Sequence, residues 1–479
     1  MKRLYILSII FLISSCINAF TYYVPADFSS IQNALNACSP GDTVIVSAGT
    51  YYENINWPET ENIFLVSELG PTVTIIDGRY PSDPDSASVI AFSEIDTATV
   101  MGFTIKNGAG TLDWVWGLSG GGIFCYESSP QIIDNVIDSN FAFYGAAISC
   151  LKFSSPVISG NTITNNTAIE GSGGIDCYDN CSPEIVNNSI VNNYADWGGG
   201  ISCQFHCSPH IEGNTIIGNH GITNGGGIFI IEYSAPRIIK NIISNNYGHG
   251  IRSSSNTQKP IIKLCTIEEN YGDGIRCNSS SPIIDSCIIK NNTANQIHAY
   301  GDAIPRLHQN DILSNNAYFG VYNETAGIEI EADSNYWGHS SGPYHPILNP
   351  FGSGSKVSDW VFFMPWEPEP IIVEVKEEFL ASTPSEFVLY QNYPNPFNPQ
   401  TRIQYSIAEI SYIEITLYDI LGNEVETLVE GEKPVGIHKV LFNAANLSSG
   451  IYFYEMLVRN SATKSEKIYV ETKKMIILK

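Results

Sequence analysis

Charged side chains are scarce. Asp, Glu, Lys and Arg make up only 15% of the 479 residues, against about a quarter in an ordinary globular protein. Basic residues are the scarcer kind: 24 Lys and Arg stand against 49 Asp and Glu, a formal charge of −25. A surface of that sign repels phosphate backbones, which argues against a nucleic-acid partner. No stretch after the N-terminal segment reaches the roughly 18 apolar residues of a membrane-spanning helix. The Lys and Glu of helical surfaces are missing too, which argues against a bundle or coiled coil. In their place stand 40 Gly and many Asn and Ser, residues that favour turns. Apolar residues recur at short intervals, so the chain is not broadly disordered. Turn-rich β structure remains.

Lys2 and Arg3 precede an apolar run from Leu4 to Ile13 and then a small polar stretch. This is the three-part pattern of a secretory signal, with cleavage expected after Ala19. Ile13-Ser14-Ser15-Cys16 also forms a loose lipid-attachment pattern, so acylation at Cys16 stays open as an alternative.

The middle of the chain repeats itself. Pro130, Pro156, Pro183, Pro209, Pro236, Pro260, Pro282 and Pro305 recur every 22–27 residues, most of them in Ser-Pro-x-Ile phrases. An Asn follows each: Asn135, Asn161, Asn188, Asn214 and Asn241, then Asn310 after replacement by Cys265 and Cys287. A third marker is Gly before an aliphatic residue, as in Gly122-Ile123, Gly174-Ile175, Gly200-Ile201, Gly227-Ile228, Gly250-Ile251 and Gly274-Ile275. Three short β runs per repeat, without helical spacing, describe one coil of a parallel β-helix. About eleven coils spaced by about 4.8 Å give a rod on the order of 50 Å long. The Asn column is expected to form a hydrogen-bonded ladder at a corner. A short amphipathic helix over Ser29–Cys38, with Ile31, Ala34 and Leu35 on one face, would plug the first coil. Trp337, Trp360 and Trp366 would seal the last.

These phrases carry a resemblance. Ile31-Gln32, Gly41-Asp42-Thr43-Val44 and Gly49-Thr50-Tyr51 resemble the opening of pectin lyase-like right-handed β-helix proteins. Val100-Met101-Gly102-Phe103-Thr104-Ile105 and Asn335-Tyr336-Trp337-Gly338 are similar to recurring phrases of that group. The resemblance implies an all-β, right-handed parallel β-helix over residues 20–366. It implies little about activity, since the group contains lyases, hydrolases, esterases and members with no known chemistry.

Residues 367–386 are Pro- and acid-rich and read as a linker. Residues 387–479 alternate strand-like runs with Gly/Asn turns, as in a small immunoglobulin-like sandwich. This stretch closely resembles the C-terminal sorting domain of type IX secretion cargo. The matching residues include Asn392, Pro394, Asn395, Pro396, Phe397, Asn398, Pro399, Gly422, Gly450 and Tyr452, with Lys473-Lys474-Met475 at the end. The resemblance implies export to the cell surface or beyond, with the outer-membrane secretion machinery as partner.

The Cys residues fall in repeat columns: Cys125, Cys150, Cys177, Cys203 and Cys277 in one, Cys181 and Cys207 in a second, Cys265 and Cys287 in a third. Parallel register points the side chains of a column the same way, so stacked thiols are expected rather than disulfides. No CxxC pair has zinc spacing. The outward line after the aliphatic markers reads Phe124, Ser149, Asp176, Ser202, Phe229, Arg252 and Arg276. A hydrolase needs two carboxyl groups within roughly 5–10 Å, and no paired Asp occurs on successive coils. Gly248-His249-Gly250 copies a short polygalacturonase phrase, without the surrounding acidic motifs. A lyase of this resemblance would bring calcium-binding carboxylates; otherwise no cofactor is expected. Polysaccharide binding is the reading carried forward, with Trp114, Trp116, Tyr144, Asp176, Asp196, Trp197, Arg252 and Arg276 as candidate contacts. Polysaccharide cleavage and a purely structural rod or adhesin are the alternatives. A monomer is expected.

Overall fold

The computed structural model describes residues 19–371 apart from 114–116 and 316, and most of 387–477; residues 391, 393–394, 396, 398, 409–410, 421, 434–435, 446 and 461–466 are among those left out. Residues 1–18, which hold the expected signal and Cys16, and residues 372–386 of the expected linker lie outside the described set. The chain divides into two units, Met1–Val373 and Glu374–Lys479.

The first unit is a parallel solenoid of about eleven coils. Its strands line up in three sheets. The first sheet has twelve strands, from Thr21–Val24 to Arg306–His308. The second has eleven, from Gly49–Tyr51 to Asp311–Leu313. The third has sixteen, beginning at Ile55–Asn56, and takes in the short side strands Phe141–Ala142, Thr167–Ala168 and Tyr194–Ala195. Inside, the register stacks like on like. Ile123, Ile148, Ile175 and Ile201 are consecutive partners, and so are Cys125, Cys150, Cys177 and Cys203. All are fully buried, and the cysteines of all three columns are free thiols. Burial pushes the Cys125 and Cys277 thiols well above their ordinary range, so the first column behaves as small apolar side chains.

The glycine before each aliphatic marker has a steric cause. A Cβ on Gly200 would sit 2.6 Å from the carbonyl oxygen of Gly227 on the next coil. Only glycine lets two coils approach there.

The expected Asn ladder is present, and a second one runs beside it. In the first, Oδ1 of Asn188 accepts from the backbone N–H of Asn161 at 2.9 Å and from its Nδ2 at 3.0 Å. Asn188 repeats both bonds to Asn214, and its Nδ2 also donates to the Ile158 carbonyl at 2.8 Å. The second ladder joins Asn140, Asn166, Asn193, Asn219, Asn246, Asn270 and Asn292 in the same pattern. The left-handed residue at each corner is the one before the ladder Asn: Asp134 at φ 53°, Asn187 at 55° and Asn192 at 56°. The ladder Asn itself turns inward, where its amide satisfies backbone groups that the bend would otherwise orphan.

At the front, the helix Ile31–Ala37 is capped by Ser30 and buries Ile31, Ala34 and Leu35 completely. At the back, Trp337 is fully buried while Trp360 is 51% exposed, so only part of the expected aromatic seal forms. Pairing continues to Glu367, whose N–H donates to the Asn335 carbonyl at 3.0 Å.

The second unit has two antiparallel sheets. Val388–Leu389, Gln400–Ile407 and Gly436–Asn443 form one; Glu424–Lys433, Ser411–Tyr418, Gly450–Asn460 and Lys467–Ile477 form the other. Ile403, Ile413, Ile415, Tyr454, Met456 and Met475 share the core between them. This is a small sandwich.

Candidate functional site

The register keeps the outward line of the third sheet intact. Phe124, Ser149, Asp176, Ser202, Phe229, Arg252 and Arg276 are consecutive partners, and His298 and Tyr322 extend the line. Its first five positions do not reach solvent. Ser149 and Ser202 are fully buried, Asp176 is 1% exposed, and Phe124 and Phe229 are buried as well. The turns after the short side strands fold back over them as a roof. A Cβ on Gly145 would lie 2.8 Å from Ser149 Cβ and 3.0 Å from Asp176 Cβ, so the roof backbone rests directly on the sheet.

Asp176 is therefore not a glycan contact. Gln204 Nε2 donates to its Oδ1 at 3.2 Å, and Ser202 adds a second bond. Burial nevertheless pushes its carboxyl up to about 7. Strand alternation correctly gave the outward direction, but gave no sign that glycine-rich turns would form a second layer.

Tyr144, Asp196 and Trp197 belong to that roof and are half-buried. The Tyr144 hydroxyl donates to Glu170 Oε2 at 2.8 Å. Trp197 meets Tyr144 edge-on at 6.5 Å and Phe229 edge-on at 6.4 Å. It packs over the sheet as much as it faces solvent. Trp114 and Trp116 lie outside the described residues.

Arg252 and Arg276 stand side by side on adjacent coils, both half-buried. Around them is a cluster that sequence reasoning missed. Asp273 Oδ2 lies 3.5 Å from Arg276 Nη1, 3.3 Å from His298 Nδ1 and 3.5 Å from His249 Nδ1. Asp273 Oδ1 accepts from the backbone N–H and Nδ2 of Asn295 at 3.0 and 3.1 Å. His298 Nε2 faces Glu324 Oε2 at 3.0 Å. Burial would raise the Asp273 carboxyl, but the His298 bond and the His249, His298 and Arg276 charges outweigh it and hold the group below its ordinary range. His249 is held near 4, chiefly by burial, with Arg276, Arg252 and His298 adding to the fall against the pull of Asp273. Neutral at pH 7, its Nδ1 accepts the Asp273 backbone N–H at 3.0 Å, while Nε2 faces Arg276 Nη1 at 3.4 Å. The signal was the paired Gly248-His249-Gly250 and Gly272-Asp273-Gly274, which the repeat's own demand for glycine disguised.

A second feature lies on another edge of the rod. The residue following each Asn of the second ladder points outward, giving Phe141, Thr167, Tyr194, His220 and Tyr247 in register, with Tyr271 next. Three of these rings stack, and Tyr194 stands beside them tilted by 33°. Tyr194 and His220 are 5.9 Å apart, His220 and Tyr247 3.9 Å, and Tyr247 and Tyr271 4.5 Å with planes 5° from parallel. Tyr194, Tyr247 and Tyr271 remain 42%, 46% and 53% exposed. The phrases Asn193-Tyr194, Asn246-Tyr247 and Asn270-Tyr271 carried this column in the sequence, but the second ladder had to be seen first.

In the second unit the sorting-type residues build the domain. Asn392 is 1% exposed; its N–H donates to the Tyr454 hydroxyl at 2.7 Å and its Nδ2 to Thr401 Oγ1 at 2.9 Å. Asn395 Oδ1 accepts the Ile476 N–H at 2.8 Å, and Phe397 is buried against Phe442. Gly422 sits at φ 82° in a turn closed onto Asp419, Pro399 is exposed, Gly450 opens a strand, and Tyr452 packs against the core. Pro394, Pro396 and Asn398 lie outside the described residues.

Comparison with known proteins agrees with both units. The family model of the right-handed β-helix region matches residues 85–225 and 198–336. That of the secretion system C-terminal sorting domain matches 391–471. No curated protein is a significant match. Among solved structures, a XylC complex with xylose is 12% identical, covering 88% of this chain and all of the other, at a TM-score of 0.44. The enzymatically active domain of bacteriophage CBA120 tailspike protein 2 is 11% identical, covering 96% and 76%, at 0.38. A mutant tailspike of E. coli bacteriophage HK620 with a bound pentasaccharide is 12% identical, covering 93% and 88%, at 0.39. At these values the likeness says nothing about chemistry. With its family match running from residue 85 to residue 336 and its C-terminal match to the sorting domain, the chain belongs to the right-handed β-helix family and is cargo of type IX secretion, exported to the cell surface or extracellular space.

Proposed function

We propose that this protein is a polysaccharide-binding rod that works outside the cell. The observation that carries the reading is the column Tyr194–His220–Tyr247–Tyr271. Rings stacked this closely satisfy one another, yet nearly half of each tyrosine stays in water. Exposed aromatics set at a regular spacing suit the apolar faces and edges of sugar rings, and their hydroxyls add hydrogen bonds. Tyr271 ends the stack beside the small, exposed Thr293, so one ring face is open. Arg252 and Arg276 offer a second contact zone, and the roof residues Tyr144, Asp196 and Trp197 lie on earlier coils of the same sheet, Trp197 reaching Phe229 beside Arg252. The chain enters the export route through an N-terminal signal ending at Ala19 and acts as a monomer without a cofactor.

The test is retention of the full-length secreted protein on a panel of plant and bacterial polysaccharides, with and without calcium. Retention without new chain ends is the expected result. The buried His249–Asp273–His298 cluster with Glu324 favours cleavage as a second reading, which new reducing or unsaturated ends would support. No retention on any member would leave a structural rod or adhesin.

Delivery has its own test. Deleting the residues after Glu386 should leave a folded rod retained inside the outer membrane, as fractionation of the native bacterium would show. Normal surface delivery of the truncated chain would contradict the sorting assignment.

A further inference from the structure

The aromatic column is interrupted once. Between Phe141 and Tyr194 the register places Thr167, a small side chain where its neighbours carry rings. Phe141, Thr167 and Tyr194 are all exposed. Two coil spacings separate the flanking residues, about 9.6 Å between positions in parallel strands. Adjacent rings higher up the column nearly touch, 3.9 and 4.5 Å apart; here one ring's place is vacant.

The geometry points to a binding slot in which Phe141 and Tyr194 sandwich one sugar ring over Thr167. Carbon surfaces in contact lie about 3.5–4.0 Å apart. A flat aromatic ligand therefore needs only about 7 Å between the walls and fits loosely. A puckered pyranose, thicker by the height of its chair, fills the space better and turns C–H groups to both walls. Polar groups stand at the rim to orient its hydroxyls. Asn165 Nδ2 donates to Asp138 Oδ1 at 2.8 Å, and Asn165 and Asn192 are exposed at the corner beside the slot, each at φ near 55°. The slot runs across the rod's edge, so the ligand is a residue within or at the end of a glycan whose neighbours lie on the column from Tyr194 upward. The inference rests on the glycan-binding reading and adds to it a place and a ring type.

Thr167→Trp separates the two claims. The new indole would complete the aromatic stack and fill the slot, and Thr167, exposed and outside the core, tolerates the change. Cello-, xylo- and galacturono-oligosaccharides serve as probes, with the full-length protein titrated calorimetrically. The wild type should bind at least one of them. Thr167→Trp should weaken that binding by tenfold or more and Phe141→Ala by a comparable factor. Both should melt within a few degrees of the wild type. Wild-type binding with undiminished affinity in Thr167→Trp would overturn the slot and spare the glycan-binding reading. A wild type that binds none of these probes and is retained on no polysaccharide of the panel would overturn both.

Discussion

Replacing Asp176 with Asn should stabilise the rod at pH 8 by on the order of 4 kcal/mol. The carboxyl is 1% exposed beneath the glycine-rich roof, and burial raises it from 3.8 to about 7. The folded chain thus keeps a proton between these values that the unfolded chain has released. Stability from this group is complete below pH 4, declines as pH rises, and is gone once the folded group ionises above about 7. Asn keeps the acceptor for Gln204 Nε2 and carries no charge. Its amide would also face Ser149, the cross-strand partner whose Oγ is buried without a bond. Melting temperatures from pH 4 to 9 should fall for the wild type and change less steeply for Asp176→Asn. Parallel curves would mean that Asp176 is solvated and that the roof opens.

The opposite effect is expected at the ladder. Asn188→Leu should cost about 3–5 kcal/mol, from buried groups left unpaired at about 1–3 kcal/mol each. The backbone N–H of Asn161 loses its acceptor, Asn161 Nδ2 loses one of its three, and the Ile158 carbonyl loses a donor. Leucine fits the corner by volume but supplies none of these. The damage should stay on the coils around residues 158–188, because each coil of a solenoid contacts only its neighbours. Hydrogen exchange would show it as local loss of protection; an unchanged midpoint and unchanged exchange would contradict the ladder's role.

Most of the fold was legible because it is written as columns. Asn135 to Asn241, Ile123 to Ile275 and Cys125 to Cys203 recur at one period, and a period of that length without helical spacing fits only stacked coils. Asn392 to Met475 announced the sorting domain in the same direct way, through a resemblance that runs in order to the end of the domain. The site was harder to read. Strand alternation assigned Asp176 and Arg276 to the same outward face, yet one is fully covered and the other only half, because coverage depends on how the Gly145 and Gly198 turns fold back across the sheet. His249 and Asp273 looked like fillers between repeat glycines, and their meeting with His298 depends on coils 24 and 25 residues away. The aromatic column was hidden by the second Asn ladder, whose members the first ladder's spacing had not drawn attention to.

The central claim is that the exposed aromatic edge holds polysaccharide. Its most direct measurement is the affinity of a variant carrying Tyr194→Ser, Tyr247→Ser and Tyr271→Ser together, against whichever polysaccharide retains the wild type. Retention should be lost, with the melting temperature lowered by only a few degrees because these rings lie outside the buried core. Retention equal to that of the wild type would contradict it.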